Sequence, residues 1–189
     1  VALSLNTYWI NIQDRIVLGS QLDGDDHAML ADLLATSELD KVQFFSNALR
    51  TRTLGIDVGY EQEWNLAPEK SLHLRLVGSI NRTRLAQVAL PTALQGLETV
   101  VFNRQNQARL EHGQPNNKVI AQLSWQAQQL SLSLQATRFG EVTFHHPADG
   151  DPDNWVINSY TQKIESRDQV FRPKWIADAA LQWRANDRL

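Results

Sequence analysis

The feature that most constrains the fold is a long run of period-2 alternation from Leu54 to Leu66. Every second residue from Leu54 is apolar, with Gln62 as the exception, whereas the intervening residues, which include Asp57, are polar or glycine. Such alternation places apolar side chains on one face of a β-strand and polar side chains on the other. Strands in soluble domains usually have about five or six residues, whereas a strand that crosses a membrane needs roughly 9–11. The run therefore predicts a membrane-spanning strand whose apolar face contacts lipid.

The composition excludes several classes of protein. The chain has 189 residues, a net charge of -3 and no cysteine. This length fits one domain, and the charge gives no electrostatic basis for binding nucleic acid. Without cysteine there are no disulfides and no thiolate sites. No run of 18 apolar residues is present, so no transmembrane helix is expected, and no signal peptide is expected at the start. A mean hydropathy of -0.37 still fits a β-barrel, in which only alternate side chains are apolar.

Similar alternation recurs along the chain and predicts six long strands. The predicted strands are Val1–Leu18, Phe45–Leu66, Ser71–Ala86, Leu97–Ala127 with a break near His112–Asn117, Leu130–Thr137 and Phe171–Ala185. In the first strand the apolar parity switches, which indicates a bulge or a change of environment near Asn6-Thr7.

The predicted connections alternate between long and short. The long polar connections are Gly19–Lys41, Ala89–Gly96 and His145–Gln169, and the short turns are Ala67–Lys70, Gln128-Gln129 and the start of a third at Asn186–Leu189. The first long connection has helical spacing over Asp25–Thr36, with Asp25 or Asp26 as the N-cap.

Three tryptophans mark one end of this arrangement. Trp64, Trp125 and Trp183 each lie within a few residues of a short turn and on the apolar parity. Outer-membrane barrels combine short periplasmic turns, long external loops and aromatic girdles. The pattern is typical of such a barrel, and a large soluble β-sandwich or barrel with core tryptophans is the alternative.

Several stretches resemble strands from the C-terminal half of the barrel of TonB-dependent outer-membrane receptors. Phe44–Asp57 (FFSNALRTRTLGID) resembles the family pattern F-F-x-N-A-x-x-T-R-T-x-G-V-D, and Tyr8–Leu18 (YWINIQDRIVL) resembles Y-x-I-x-I-x-D-R-I-V-L-S-G. Residues 109–118, Arg138–Val142 and Lys174–Asp178 are similar to later strands in matching order. The resemblance covers nearly the whole chain, and Phe44–Asp57 is its most specific part.

This resemblance implies an all-β fold, namely an antiparallel transmembrane-type β-barrel segment of about six long strands in three hairpins with long external loops. Receptors of the family have an N-terminal plug and a 22-stranded barrel, so residues 1–189 are expected to form a partial barrel domain without the plug and the final strands. The implied role is not enzymatic. It is part of an active importer of a scarce nutrient, such as a ferric siderophore, in the outer membrane of a Gram-negative bacterium.

The resemblance also implies the partners. These are the nutrient ligand, such as an iron complex, the outer-membrane lipid and, through the plug, the TonB energy-coupling complex. No cofactor is expected.

Arginines on the predicted strands are the candidate ligand-binding residues. A barrel lumen that carries them would suit an anionic ligand such as a ferric chelate, and the alternative is that they pair with nearby carboxylates. The candidates are Arg75, Arg82, Arg84, Arg109 and Arg138.

The third long connection contains the candidate metal ligands. Asp149, Asp151 and Asp153 are spaced as at the start of a calcium loop, but asparagine stands where the turn glycine belongs and no glutamate closes the loop. The adjacent His145 and His146 could ligate a metal ion. For both groups the alternative is a solvated loop. No phosphate-binding glycine loop and no HExxH motif is present.

Two functions of different classes fit these patterns: part of an outer-membrane importer, or a soluble β-rich ligand- or carbohydrate-binding module. The feature that distinguishes them is the apolar face that carries Leu54, Ile56, Val58, Tyr60 and Trp64. In an importer this face contacts lipid, whereas in a soluble module a second sheet covers it.

Overall fold

A computed structural model describes residues 1–25, 28–37 and 39–185. Strands account for 58% of it and helices for 13%, so the predicted β-rich, antiparallel architecture is confirmed. Within the described residues the strands are, in chain order, β1 (Ala2–Leu18), β2 (Leu22–Asp23), β3 (Lys41–Val42), β4 (Phe45–Ala67), β5 (Lys70–Val88), β6 (Asn117–Ala127), β7 (Leu130–Phe139), β8 (Val142–Phe144), β9 (Val156–Ile157), β10 (Ile164–Glu165), β11 (Gln169–Phe171) and β12 (Lys174–Trp183). The α-helices are α1 (Ala28–Thr36), α2 (Glu98–Val101) and α3 (Arg104–Glu111), and short 3-10 turns span Thr92–Leu94 and Pro152–Asn154.

Six long strands form one antiparallel sheet in the order β1-β4-β5-β6-β7-β12. Each long strand pairs with the next long strand along the chain. In the described part of the chain the sheet stays open, with β1 and β12 as its edges, and is not closed into a barrel. The remaining short strands form three two-stranded ladders within the long connections.

The two ends of the sheet differ in their connections. Two-residue turns join β4 to β5 and β6 to β7, and each turn contains a residue in the left-handed region, Glu69 (φ 58°) and Gln128 (φ 48°). Such turns need positive φ to follow the twist of the paired strands. The long connections leave the opposite end of the sheet, as the alternation of long and short connections predicts.

The three marker tryptophans lie together at the short-turn end. Trp64 is opposite Leu72, which is opposite Trp125 on the next strand. Trp183 is opposite Leu130, at the first position after the second turn. Residues directly opposite each other share a face of the sheet, so the prediction of one end and one face for all three tryptophans is confirmed.

One predicted strand is wrong in its first half. Residues 97–111, expected to begin the fourth strand, form α2 and α3, and only residues 117–127 are extended. The side chain of Asn103 caps α3 by accepting a hydrogen bond from the backbone N–H of Asn106 (3.1 Å). Leu97 and Val101 are buried four residues apart, which is helical spacing.

The first strand keeps one register near Asn6-Thr7, where the sequence pattern allows a bulge. Pairing with β4 is continuous from Ala2 to Ile12, and the irregularities lie between Ile12 and Val17, where Asp14 has a φ of 52°. The parity switch therefore reflects a change of environment, because the apolar residues after position 7 lie on both faces of β1.

The hydrophobic core lies in the long connections and not between sheets. Buried side chains of the first and second connections pack together with Ala48 of β4; they are Leu22, Leu30, Leu90, Leu97 and Val101. The helix expected over Asp25–Thr36 is confirmed from Ala28 onward, with Leu30 and Leu34 buried. The proposed cap Asp26 and the predicted third turn at Asn186–Leu189 lie outside the described residues.

Candidate functional site

The large sheet has one apolar face and one polar face, and the apolar face is the more exposed. Leu54 and Ile80 on the apolar face are 63% and 67% exposed, whereas Thr51 and Thr137 on the polar face are 1% and 6% exposed. The same contrast is found residue by residue along β4 between positions 51 and 58. In a protein folded around a central core the contrast has the opposite sign.

The polar face carries serine, threonine and glutamine side chains together with charged residues such as Asp57, Lys118 and Asp178. Arg75 on β5 pairs with Glu61 on β4, with its Nε 3.1 Å from Oε1. Further along the same face the ring of Tyr8 lies over Gly55, where any larger residue would collide with it. A groove of about 380 Å³ between β5, β6 and β7 includes His73, among serine and glutamine side chains.

The structure does not bring the five candidate arginines together. Arg75 lies on the polar face and already has Glu61 as its partner. Arg109 lies on α3, so its expected position on a strand is wrong. Arg82 is opposite Leu54, and Arg138 is opposite Trp175 and donates a hydrogen bond to Asn117 (2.8 Å).

The remaining candidate arginines on strands, Arg82, Arg84 and Arg138, are thus on the apolar face. Arg84 has the same parity as Arg82 and is opposite Arg52. The expectation that these arginines share a polar lumen face is corrected by the register, since Arg82, Arg84 and Arg138 continue the row of apolar side chains.

An ionic cluster joins the second long connection to the third. Arg104 on α3 donates Nη1 to Asp168 Oδ1 (2.7 Å) and Nη2 to Asp168 Oδ2, which is a two-point guanidinium–carboxylate pair. Asp168 also accepts the backbone N–H of His146 (2.8 Å), and its Oδ2 is 2.9 Å from His145 Nδ1. The aspartate is therefore held from two elements at once.

A second carboxylate organises the rest of the third connection. Asp149 has a fully buried side chain that receives Arg167 Nε (2.8 Å), the Arg167 backbone N–H and the Ser166 hydroxyl (3.1 Å). His146 Nδ1 lies 3.3 Å from Asp149 Oδ1. These contacts join the start of the loop between β8 and β11, at Asp149, to its end, at Ser166 and Arg167.

The ionisation of the cluster follows from these contacts. The Arg104 hydrogen bonds hold the pKa of Asp168 well below its usual range, against the opposing effect of burial, and the His146 N–H and His145 add to the shift. Asp168 in turn raises the pKa of Arg104. Burial acts to raise the pKa of Asp149, but the backbone and side-chain hydrogen bonds from Arg167 and Ser166 outweigh it, so that pKa is lowered.

Four of the five candidate metal ligands make other side-chain contacts. Asp149 is occupied by Arg167, and Asp151 accepts the backbone N–H of Asp153 (3.0 Å) as the cap of a 3-10 turn. His145 and His146 face Asp168 and Asp149. Among residues 1–25, 28–37 and 39–185 no group of three or more His, Asp or Glu side chains is placed to hold a metal ion.

No sequence pattern points to the most connected residues of this cluster. Arg104 and Asp168 are separated by 64 positions, and neither belongs to a motif. Asn103 as a helix cap was the one local signal, because an asparagine followed by helix-forming residues favours a helix start.

Comparisons with known proteins add no relative. No protein-family model, no curated protein and no solved structure matches the chain. In the part of the chain that the structure describes, no helix combines the length and the apolar character required to span a membrane.

Proposed function

We propose that this chain forms part of the barrel wall of an outer-membrane, TonB-dependent importer of a scarce nutrient such as a ferric siderophore. The observation that supports this most strongly is the inverted sheet, with its apolar face exposed and its polar face partly sheltered. Lipid-facing and lumen-facing residues alternate in the same way along the strands of outer-membrane barrels.

The length and the edges of the strands agree with this proposal. The six long strands have between 10 and 23 residues, and roughly 9–11 suffice to cross a bilayer. In water, the uncovered apolar face and the two open edges would promote aggregation. Lipid on the face and further strands at β1 and β12 would remove both problems.

The alternative of a soluble binding module needs a cover for the same face. The three small ladders belong to the long connections. Tyr60 and Trp64 are partly exposed, and Leu54, Ile56 and Val58 are 43–63% exposed. Within the described chain nothing therefore plays the part of a second sheet, and the importer is the better supported of the two.

Nutrient recognition is assigned to the long-connection end and to the polar face. Loops carried on a rigid scaffold commonly provide binding residues, and here the long connections leave the same end of the sheet and are tied to one another. The turn of the hairpin of β9 and β10 carries a strongly exposed aromatic side chain: Tyr160 is 96% exposed.

The lipid-facing assignment can be tested with single cysteines, since the chain has none of its own. Ile56→Cys and Asp57→Cys are neighbours on opposite faces of β4. The experiment uses the full-length protein in phospholipid bilayers. A spin label at position 56 is expected to be accessible to dissolved oxygen and shielded from a water-soluble nickel reagent.

The label at position 57 is the matched control and should show the reverse preference. Equal accessibility of both labels to the nickel reagent would reject the membrane wall. A label at position 56 that is shielded from both reagents would indicate a protein cover and favour the soluble module.

A second test addresses import itself. Deleting residues 158–163 removes the exposed turn between β9 and β10 without touching the core formed by Leu22 and Leu97. If recognition involves this turn, binding and uptake of the nutrient fall while the amount of folded protein stays the same. Unchanged binding and uptake would place recognition elsewhere.

A further inference from the structure

Three arginines form a compact cationic group on the apolar face of the sheet, close to the long connections. Arg52 on β4 is directly opposite Arg84 on β5, and Arg82 is two residues away on the same face. All three side chains are exposed. Among the residues that the structure describes, none of the three forms an ion pair with a carboxylate.

The arginines surround a cavity and are not scattered on a flat surface. A depression of about 460 Å³ is lined by Arg52, Arg82 and Arg84 together with Trp9 and Leu54. Trp9 is 74% exposed and lies opposite Leu54, which lies opposite Arg82. An indole beside guanidinium groups is typical of a membrane interface, where the ring is in apolar contact and the N–H is wet.

The position of the cluster matches the edge of a lipid bilayer. Ten residues of β5 separate Leu72, in the row of Trp64, from Arg82. At about 3.4 Å per residue this is about 34 Å along the strand. With the strand tilt of about 40° found in outer-membrane barrels it becomes about 26 Å across the membrane, against an apolar band of about 25 Å.

The boundary is shared by three adjacent strands. On this face, the apolar rows that start at the short-turn end reach Trp9 on β1, Leu54 on β4 and Ile80 on β5, and the next residues of each row are Asn11, Arg52 and Arg82. The guanidinium groups therefore begin where lipid headgroups would begin if the apolar face contacts lipid.

We propose that Arg52, Arg82 and Arg84 bind the phosphate group of an anionic lipid in the leaflet at the long-connection end, with Trp9 packed against the lipid beside it. This rests on the proposed membrane-wall function. Guanidinium groups pair with phosphate oxygens in two-point geometry, and three unpaired guanidinium groups around one depression complement a group that carries one to two negative charges.

The test compares the binding of two spin-labelled lipids, phosphatidic acid and phosphatidylcholine, to the full-length protein in phosphatidylcholine bilayers. Electron paramagnetic resonance gives the fraction of each lipid that is immobilised on the protein. Near an anionic headgroup three arginines should favour phosphatidic acid on the order of tenfold at low salt. In the variant R52Q/R82Q/R84Q this preference should fall to about onefold.

The matched control is R172Q/K174Q/R184Q, which removes three exposed positive charges near β12, away from the depression. It should keep the preference for phosphatidic acid. Retained preference in the cluster variant, or loss of preference in both variants, would overturn the site. Circular dichroism and resistance to protease show whether each variant is folded.

Two further outcomes separate this proposal from the one it rests on. If neither labelled lipid is immobilised by the wild-type protein, the membrane wall itself is refuted and the site with it. If both lipids are immobilised equally, the membrane wall stands and only the phosphate site is refuted. Displacement of phosphatidic acid by millimolar inorganic phosphate would show a site for free phosphate and would overturn the lipid assignment.

Discussion

An arginine placed in the middle of the apolar face should destabilise the protein strongly in a bilayer. Leu76 is 39% exposed and lies four residues along β5 from Leu72, in the row of Trp64. This is about 14 Å along the strand, or about 10 Å across the membrane at the usual tilt, near the middle of a band of about 25 Å. Leu76→Arg should therefore cost about 2–4 kcal/mol in a bilayer.

The control substitution stays at nearly the same depth and changes the face. Gln135 is one row away, on the polar face, and is opposite Asp178. Gln135→Arg gains a neighbouring carboxylate and contacts no lipid, so a change within about 0.5 kcal/mol is expected, as for an ordinary surface substitution. The difference between the two variants isolates the contribution of the face.

The measurement is equilibrium unfolding by urea in phosphatidylcholine vesicles, followed by tryptophan fluorescence. Stability changes are compared between variants that have the same m-value, which is the slope of the unfolding free energy against urea concentration. If Leu76→Arg costs no more than Gln135→Arg, the apolar face is in water and the inverted sheet has another explanation. An exposed leucine in a soluble domain would tolerate arginine within about 0.5 kcal/mol.

Three other changes test the connections and the polar face. Leu97→Ala, at a core residue that is 1% exposed, should lower the free energy of unfolding by about 2–5 kcal/mol, measured by denaturant titration. The pKa of Asp168 lies below its unfolded value, so the stabilisation from its ionised form is present above about pH 4 and is lost as the pH falls toward the folded pKa. Hydrogen exchange of residues 143–171 in the wild type should therefore rise over that range. In Asp168→Asn the same exchange should be fast at every pH. Gly55→Ala should cost about 1–3 kcal/mol by displacing the Tyr8 ring, and much less in a Tyr8→Ala background, as a double-mutant cycle would show.

The strands and their pairing could be predicted because they depend on local information. Alternation in β4 and β5 and two short turns were enough to predict an antiparallel meander with neighbouring strands paired. Residues 97–111 could not be assigned in the same way, because a short helix of polar residues has little hydrophobic period. There the Asn103 cap and packing against the core decide the structure.

The candidate site was predictable only in part. The two short turns lie at one end of the sheet, so the long connections must share the opposite end. The faces of Arg82 and Arg84 are also encoded in the sequence, since both share the parity of Leu72 and Ile80. Their charge alone suggests a polar lumen and conflicts with that parity. The Arg104–Asp168 pair joins segments 64 positions apart, and no local pattern carries that information.

The location of the core limits which positions of the long connections can vary without loss of stability. Leu22, Leu30 and Leu97 lie in the long connections, so these connections stabilise the sheet end as well as carrying exposed residues. Substitutions at those positions cost packing energy, whatever they do to binding. Substitutions in the exposed turn around Tyr160 remove no buried packing. If these connections recognise a nutrient as proposed, variation in recognition is expected at the hairpin of β9 and β10, while the buried part of the connections carries the core packing.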